Sequence, residues 1–128
     1  MKTNKKLGNI LVADDDPAIV DSIQFLLEEA GYVVNTTVDG NNVFTMIDNN
    51  PDLLLLDIWM SGQDGRDICK YLKSQDKTKH VPIVMISANK DTKEIAKKSG
   101  ADDFLEKPFE MEDLLNKISK HIKKRNNN

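Results

Sequence analysis

Five polar side chains in this sequence follow short apolar runs of the kind that form buried strands. They are Asp14, Asp15, Asp57, Ser87 and Lys107. A short, unbroken apolar run is typical of a strand buried on both faces of a parallel sheet. The carboxyl ends of parallel strands meet at one edge of the sheet, where such sheets bind their ligands. We therefore expect these five side chains to converge there, although they are far apart in the sequence.

The residue types in this set indicate phosphoryl chemistry assisted by a metal ion. Two carboxylates packed at roughly 4 Å repel by about 4 kcal/mol at an effective dielectric of about 20, so a cluster of acids makes sense if a cation occupies it. Hard oxygen donors and few carboxylates suit Mg²⁺ better than Zn²⁺. Lys107 and the Ser87 hydroxyl could hold phosphoryl oxygens, and Asp57 is the natural nucleophile, forming an aspartyl phosphate.

Each of these residues also has a plainer interpretation. The acids before Pro17 could serve only to cap a helix, Ser87 could be a loop hydroxyl, and Lys107 could be a solvated surface lysine. Phe104 alone is typical of a core residue, and Trp59 alone of a surface aromatic. The joint placement of the strand-end residues at one edge favours the chemical interpretation.

Five strand–helix units must position the set. The apolar runs predict strands over 9–13, 32–38, 53–57, 81–86 and 102–106. Apolar residues at helical spacing predict a helix after each strand, the first beginning at Pro17 with Asp16 as its N-cap and the last ending at Ile122. Alternating units of this kind require right-handed crossovers onto a parallel sheet, which predicts a doubly wound, three-layer α/β/α fold.

Composition limits the remaining classes of function. The chain has 128 residues, 39% hydrophobic and 30% charged, with a net charge of −3, which is typical of one soluble domain without a general affinity for nucleic acid or membranes. Cys69 is the only cysteine, which excludes an internal disulfide and favours a reducing compartment. Because no signal peptide or membrane span is recognisable, we expect a cytoplasmic domain over 9–122 between disordered tails at 1–8 and 123–128.

The assembled motifs resemble a receiver domain of bacterial two-component response regulators, the CheY-like family. The matching segments are 10–16, 55–65, 81–88 and 100–109. The resemblance implies the flavodoxin-like strand order 2-1-3-4-5, for which a receiver protein is a standard example. It also implies a phosphoacceptor of a two-component phosphorelay rather than an enzyme, because such a domain catalyses only its own phosphotransfer and slow autodephosphorylation.

The resemblance implies a role for each residue of the site. Asp57 would accept the phosphoryl group from the phosphohistidine of a histidine kinase or phosphotransfer protein. Asp15 and Asp57 would ligate Mg²⁺ directly, with Asp14 acting mainly through water. The backbone carbonyl of Trp59 would complete the protein ligands. Lys107 would contact the phosphoryl group, and its bond to the following proline is expected to be cis.

The resemblance further implies a switch. Ser87 would swing toward the phosphoryl oxygen, and Phe104 would turn into the space that Ser87 vacates, which shifts the domain toward a second packing. The fourth helix, fifth strand and fifth helix would form the output surface for a downstream protein. We expect no direct contact with nucleic acid or membrane, and either a monomer or a weak, phosphorylation-dependent dimer.

Three features depart from the family pattern. Ser61 stands where proline is usual, which predicts a more mobile loop after Asp57. The segment 87–100 is slightly shorter than in many relatives, which predicts a short fourth helix. Trp59 and Asn89 flank the expected pocket, where family members tune the lifetime of the phosphate.

Two other functions compete with this one. A haloacid-dehalogenase-like phosphatase also uses an aspartyl nucleophile, but it places a second Asp two residues later as acid/base, and Trp59 stands there. An interaction module that never takes phosphate would lack Asp57, a member of the acidic pair or Lys107, and all of these are present. The sequence leaves open whether the domain acts alone or belongs to a larger regulator or hybrid kinase.

Overall fold

The computed structural model describes residues 7–88 and 90–126 of the chain. At its centre is a five-stranded parallel sheet with the strand order β2-β1-β3-β4-β5. The strands are β1 (Asn9–Ala13), β2 (Val33–Thr37), β3 (Leu53–Asp57), β4 (Ile83–Ser87) and β5 (Asp103–Glu106). The predicted doubly wound fold and its strand order are confirmed.

Five helices cover the two faces of the sheet. They are α1 (Pro17–Glu29), α2 (Val43–Met46), α3 (Gly65–Ser74), α4 (Thr92–Ser99) and α5 (Met111–Asn126). Asp16 and Asp64 cap α1 and α3, because their carboxylates accept the backbone N–H groups of Ala18 and Arg66 at 3.0 and 2.8 Å. These two caps place the first turns of α1 and α3 beside the carboxyl edge of the sheet.

The four leucines of β3 join the two halves of the core. Leu53 and Leu55 pack with residues of α1 and α5, whereas Leu54 and Leu56 pack on the opposite face with residues of α2, α3 and α4. All four side chains are fully buried, and each contributes about 2 kcal/mol by leaving water. A strand buried in this way can present a polar group only at its ends, which is where Asp57 lies.

Several predicted boundaries differ from the observed ones. The last helix does not end at Ile122 but continues to Asn126, since lysines and arginine are good helix formers that complement the negative end of the helix dipole. Of the predicted C-terminal tail, only residues 127–128 lie outside the described residues. At the other end, the N–H of Leu7 donates to the carbonyl of Gly31 at 3.0 Å, and Gly8 accepts from Val33 at 2.9 Å. Residues 1–6 of the predicted N-terminal tail lie outside the described residues.

Four further observations concern β4, the bond before Pro108, α4 and the helices as a group. The strand β4 begins at Ile83 rather than at residue 81, because Pro82 has no N–H for a sheet hydrogen bond. The Lys107–Pro108 bond is cis, as expected. The helix α4 is short, as expected, at eight residues. None of the helices within 7–88 and 90–126 has both the length and the apolar composition needed to cross a bilayer.

Candidate functional site

Three carboxylates meet where β1 and β3 end. These strands are neighbours in the sheet, with Ala13 paired to Leu56, so the residues that follow them lie side by side. One carboxylate oxygen from each of Asp14, Asp15 and Asp57 lies within 4.8 Å of the others. Asp14 and Asp57 are buried and Asp15 is exposed, so the cluster opens to solvent on one side.

Lys107 brings the only ammonium group that is paired with these acids among the described residues. Its backbone N–H donates to the carbonyl of Ser87 at 2.8 Å, which ties the end of β5 to the end of β4. Its Nζ lies 2.5 Å from Asp14 Oδ2 and 3.7 Å from Asp57 Oδ2. The structure therefore brings the predicted lysine to the predicted acids across 93 residues of sequence.

The charges of this site are unbalanced, with three carboxylates facing one lysine. Burial raises the pKa of Asp57, and the neighbouring Asp14 carboxylate raises it further, to about 7 from the ordinary 3.8, although Lys107 opposes the shift. A divalent cation would relieve this repulsion. The donors are hard oxygens on an open, partly solvated cluster, which fits Mg²⁺ and leaves positions for water or a phosphoryl group.

Ser87 lies on the strand beside that of Asp57, and Phe104 lies on the next strand of the sheet. Ser87 is the last residue of β4, adjacent to the strand of Asp57, and it is fully buried. Phe104 is paired with Met85 on β4 and is half-buried against the core. The ammonium group of Lys117 lies 4.7 Å from the centre of its ring. The structure describes one arrangement of this pair, and the predicted exchange between them stays a prediction.

Hydrogen bonds connect the loop after Asp57 to the segment after β2, and the greater mobility expected from Ser61 stays a prediction. The carbonyl of Ser61 accepts the N–H of Gly40 at 2.8 Å, and the Gln63 side chain donates to that of Asn41 at 3.1 Å. Gly62 has a φ of +84°, and a Cβ there would lie 2.5 Å from a side-chain oxygen of the neighbouring loop. Hydrogen bonds to the segment after β2 therefore hold the loop without the usual proline.

Sequence reasoning missed a stack at the end of this loop. The guanidinium of Arg66 lies 4.7 Å from the centre of the Trp59 ring, and its Nη2 lies 2.6 Å from Asp64 Oδ2. The hydrogen bond from Arg66 is the main reason that the pKa of Asp64 falls below its usual value. The sequence shows Asp64 as a possible N-cap of a helix. No sequence pattern, however, predicts that Arg66 stacks on Trp59. Asn89, the other residue expected to flank the pocket, lies outside the described residues.

An apolar groove beside Lys107 was also missed. It has a volume of about 420 Å³ and lies between the first turns of α1 and the segment that links β5 to α5. Its lining includes Ala18, Ile19, Pro108, Phe109 and Met111. Apolar residues at the start of α1 give a weak signal for such a groove, but its second wall comes from a segment that is distant in sequence.

The sequence was compared with known proteins. The model of the family described as "Response regulator receiver domain" matches residues 10–119. A curated relative, the DNA-binding dual master transcriptional regulator RpaA of Synechocystis sp., is 36% identical over 115 residues, which are 88% of this chain and 48% of that protein. The DNA-binding response regulator MtrA of Mycolicibacterium smegmatis is 34% identical over 118 residues, 90% of this chain and 50% of that protein. The chain thus spans about half the length of these relatives.

A solved structure has a similar fold over its whole length. A response regulator from Chloroflexus aurantiacus, described as putative, superposes with a TM-score of 0.86 at 30% sequence identity. The match covers 92% of this chain and 98% of that one. The acidic cluster thus lies in a fold that this chain shares with a response regulator.

Proposed function

The chain belongs to the response regulator receiver domain family, and from this premise we propose that it is a phosphorylation-dependent signalling switch rather than an enzyme with turnover. Asp57 accepts a phosphoryl group from the phosphohistidine of a histidine kinase or phosphotransfer protein. The observation that carries the proposal is the cluster of Asp14, Asp15 and Asp57 within 4.8 Å, with the Lys107 ammonium 3.7 Å from Asp57.

The transfer makes one bond and breaks one. An oxygen of the ionised Asp57 carboxylate attacks the phosphorus in line, and the P–N bond to the donor imidazole breaks. The leaving nitrogen keeps the electron pair and takes a proton from solvent. The Lys107 ammonium lies 3.7 Å from Asp57 Oδ2, and there it holds a phosphoryl oxygen as charge builds on the group. The proton equilibrium of Asp57 matters too, because only its ionised form is a nucleophile.

The carboxylates divide the work of holding Mg²⁺. We assign Asp15 and Asp57 as direct ligands, Asp14 as a ligand through water and the backbone carbonyl of Trp59 as the last protein ligand. When bound, Mg²⁺ neutralises the acids and stabilises the charge on the phosphoryl oxygens. The carboxylate oxygens of Asp14, Asp15 and Asp57, which lie within 4.8 Å of one another, support a cation site here.

The groove beside Lys107 suits the phosphodonor. It is lined mainly by apolar side chains and lies next to the lysine that faces Asp57. A helix that carries the phosphohistidine would bury its own apolar stripe in this groove and bring the donor nitrogen to the acidic cluster. We therefore propose this groove as the docking site of the kinase or phosphotransfer protein.

We propose Ser87 and Phe104 as the switch and the surface of α4, β5 and α5 as its output to a downstream protein. Burial of Ser87 next to the strand of Asp57 supports this coupling. We expect Ser87→Ala to take up phosphate almost normally and to transmit the change weakly. Binding of a partner to phosphorylated and unphosphorylated protein, measured by calorimetry, tests this. A Ser87→Ala variant whose partner binding still responds fully would contradict it.

The context of the domain is part of the proposal. The net charge of −3 supports a domain that does not itself bind nucleic acid. The named relatives are DNA-binding regulators, so any DNA contact would come from other parts of a longer protein. We propose a cytoplasmic domain that is a monomer or a weak dimer when phosphorylated.

The function is tested with small phosphodonors. Protein is incubated with acetyl phosphate or beryllofluoride, with Mg²⁺ or with EDTA, and the fluorescence of Trp59, the only tryptophan, is followed. Intact mass is then measured for the acetyl phosphate samples. We expect a fluorescence change and one added phosphoryl group only with Mg²⁺, and neither in Asp57→Asn. An unmodified wild-type protein that does not respond to either reagent would indicate an interaction module that never takes phosphate.

A further inference from the structure

The indole of Trp59 stands beside the acidic cluster without being buried. It lies two residues after Asp57, is 48% exposed, and lines a cavity of about 550 Å³ together with Asp15. The backbone N–H of Trp59 approaches Asp57 Oδ1 at 3.4 Å. A half-exposed indole at this position would adopt several side-chain orientations unless another group held it.

Arg66 supplies that group. Its guanidinium stacks 4.7 Å from the centre of the Trp59 ring, and its Nε and Nη2 both donate to the carboxylate of Asp64, at 3.0 and 2.6 Å. These two parallel hydrogen bonds, the fork of the guanidinium, fix the plane of the group that stacks on the indole. Lysine could supply the charge at this position but neither the fork nor the plane.

The stack has a rigid base. Asp64 caps α3 and its backbone is bridged to that of Trp59, while the N–H of Gly65 donates to the carbonyl of Ile58 at 2.7 Å. A Cβ on Gly65 would lie 2.3 Å from the carbonyl oxygen of Asp57. The first turn of α3 therefore lies directly against the end of β3, and Arg66 is carried at a set distance from the site.

We propose that Arg66 is a positioning residue: with Asp64 it holds the Trp59 indole at the mouth of the acidic cluster, where the ring limits the access of water to phosphorylated Asp57. The inference rests on the proposed function and concerns the lifetime of the phosphoryl group rather than its uptake. Within the part of the chain that the structure describes, the guanidinium of Arg66 contacts Asp64 and the Trp59 ring rather than the acids of the cluster or Lys107, so it acts through Trp59.

The step that the indole slows is hydrolysis of the acyl phosphate. A water oxygen bonds to phosphorus, the bond between phosphorus and the Asp57 oxygen breaks, and the electron pair stays on the carboxylate. The proton of the water passes to solvent, and inorganic phosphate leaves. A ring that is held at the mouth reduces the fraction of time in which water reaches the phosphorus in line.

The test measures how fast the phosphoryl group is lost. Protein is phosphorylated with acetyl phosphate and Mg²⁺, the donor is removed by rapid desalting, and the remaining adduct is followed by intact mass. We expect Arg66→Ala to lose the group about fivefold faster than wild type, because an exposed cation–π contact biases the ring position by about this factor. Arg66→Lys should lie between the two, since it keeps the charge but loses the fork.

Two controls separate position from charge and from structure. Lys70→Ala removes a neighbouring exposed cation from the same helix and should leave the lifetime unchanged. In a Trp59→Ala background, Arg66→Ala should have no further effect, because the ring through which it acts is gone. In unphosphorylated protein, acrylamide should quench Trp59 more strongly after Arg66→Ala than after Lys70→Ala.

The outcomes are distinct. A wild-type adduct that forms, followed by the same decay in wild type and Arg66→Ala, would overturn the positioning role and leave the proposed function standing. An additive effect of Arg66→Ala in the Trp59→Ala background would overturn it as well. Wild-type protein that never acquires the adduct would overturn both proposals together.

Discussion

Asp57, which is buried, and Asp103, which is partly buried, have opposite surroundings in this domain. Asp57 ends β3 at the carboxyl edge of the sheet, next to two other acids and one lysine. Asp103 begins β5, and its two oxygens accept from Lys117 Nζ and pair with His121 Nε2, each at 2.8 Å. The exposed fraction of the side chain is 7% for Asp57 and 14% for Asp103, so neither carboxylate is freely solvated.

The pKa values of the two aspartates move in opposite directions. Burial and the neighbouring acid raise the pKa of Asp57 to about 7. Burial would also raise the pKa of Asp103, but the hydrogen bonds from Lys117 and His121 outweigh it and lower the pKa to about 2. A balanced cluster stabilises the fold, whereas an unbalanced one indicates a site that awaits a ligand.

The largest effect that we predict on stability comes from the balanced cluster. Asp103→Asn should lower the free energy of unfolding by about 2 kcal/mol, because Lys117 and His121 lose a charged acceptor in a partly buried place. Urea unfolding at neutral pH measures it. The matched control is Asp21→Asn on the exposed face of α1, which should change stability by less than about 0.5 kcal/mol. If Asp103→Asn and Asp21→Asn lowered the free energy of unfolding equally, the charge balance around Asp103 would not stabilise the fold.

A smaller effect of opposite sign is expected at the unbalanced cluster. Asp57→Asn should raise the free energy of unfolding by about 1 kcal/mol in EDTA, since it removes one of three mutually repelling acids. Saturating Mg²⁺ should stabilise wild type more than the variant, because the ion binds the native state preferentially. The difference in the free energy of unfolding between the two proteins should therefore become smaller. Thermal unfolding with and without Mg²⁺ measures both. A destabilised Asp57→Asn protein in EDTA would show that the acids are already balanced.

The third effect, of about the same size as the second, is a dependence of stability on pH. Because the folded pKa of Asp103 is about 2 and its ordinary value is 3.8, the unfolded chain binds more protons than the native one between these values. Its contribution is therefore complete above about pH 4 and is lost as the pH falls toward 2. The stability gap between wild type and Asp103→Asn should narrow by about 1 kcal/mol from pH 5 to pH 3. A gap that stays constant over this range would indicate that packing, not charge, explains the first prediction.

The main elements of the site were predictable because they depend on local patterns. The four leucines before Asp57 indicate a buried strand, and a strand buried on both faces must present its polar residue at an end. The runs before Asp14 and Lys107 carry the same signal. Once the sheet is known to be parallel, its geometry brings these ends to one edge, and Asp14 and Lys107 meet across it.

Features that depend on contacts between side chains of different elements were not predictable in this way. The Gln63 side chain donates to that of Asn41, and the guanidinium of Arg66 stacks on the Trp59 ring. In both cases the contact joins side chains that no local pattern of the sequence relates.

The sequence by itself determined which residues end the strands and therefore which charges share an edge, since period and polarity are local properties of the chain. Only the tertiary structure decided how those charges are balanced: it left Asp57 among acids, gave Asp103 two basic partners, and stacked Arg66 on Trp59. The physical reason is that electrostatic energy depends on distances of a few ångströms between atoms, and packing sets such distances, not spacing along the chain.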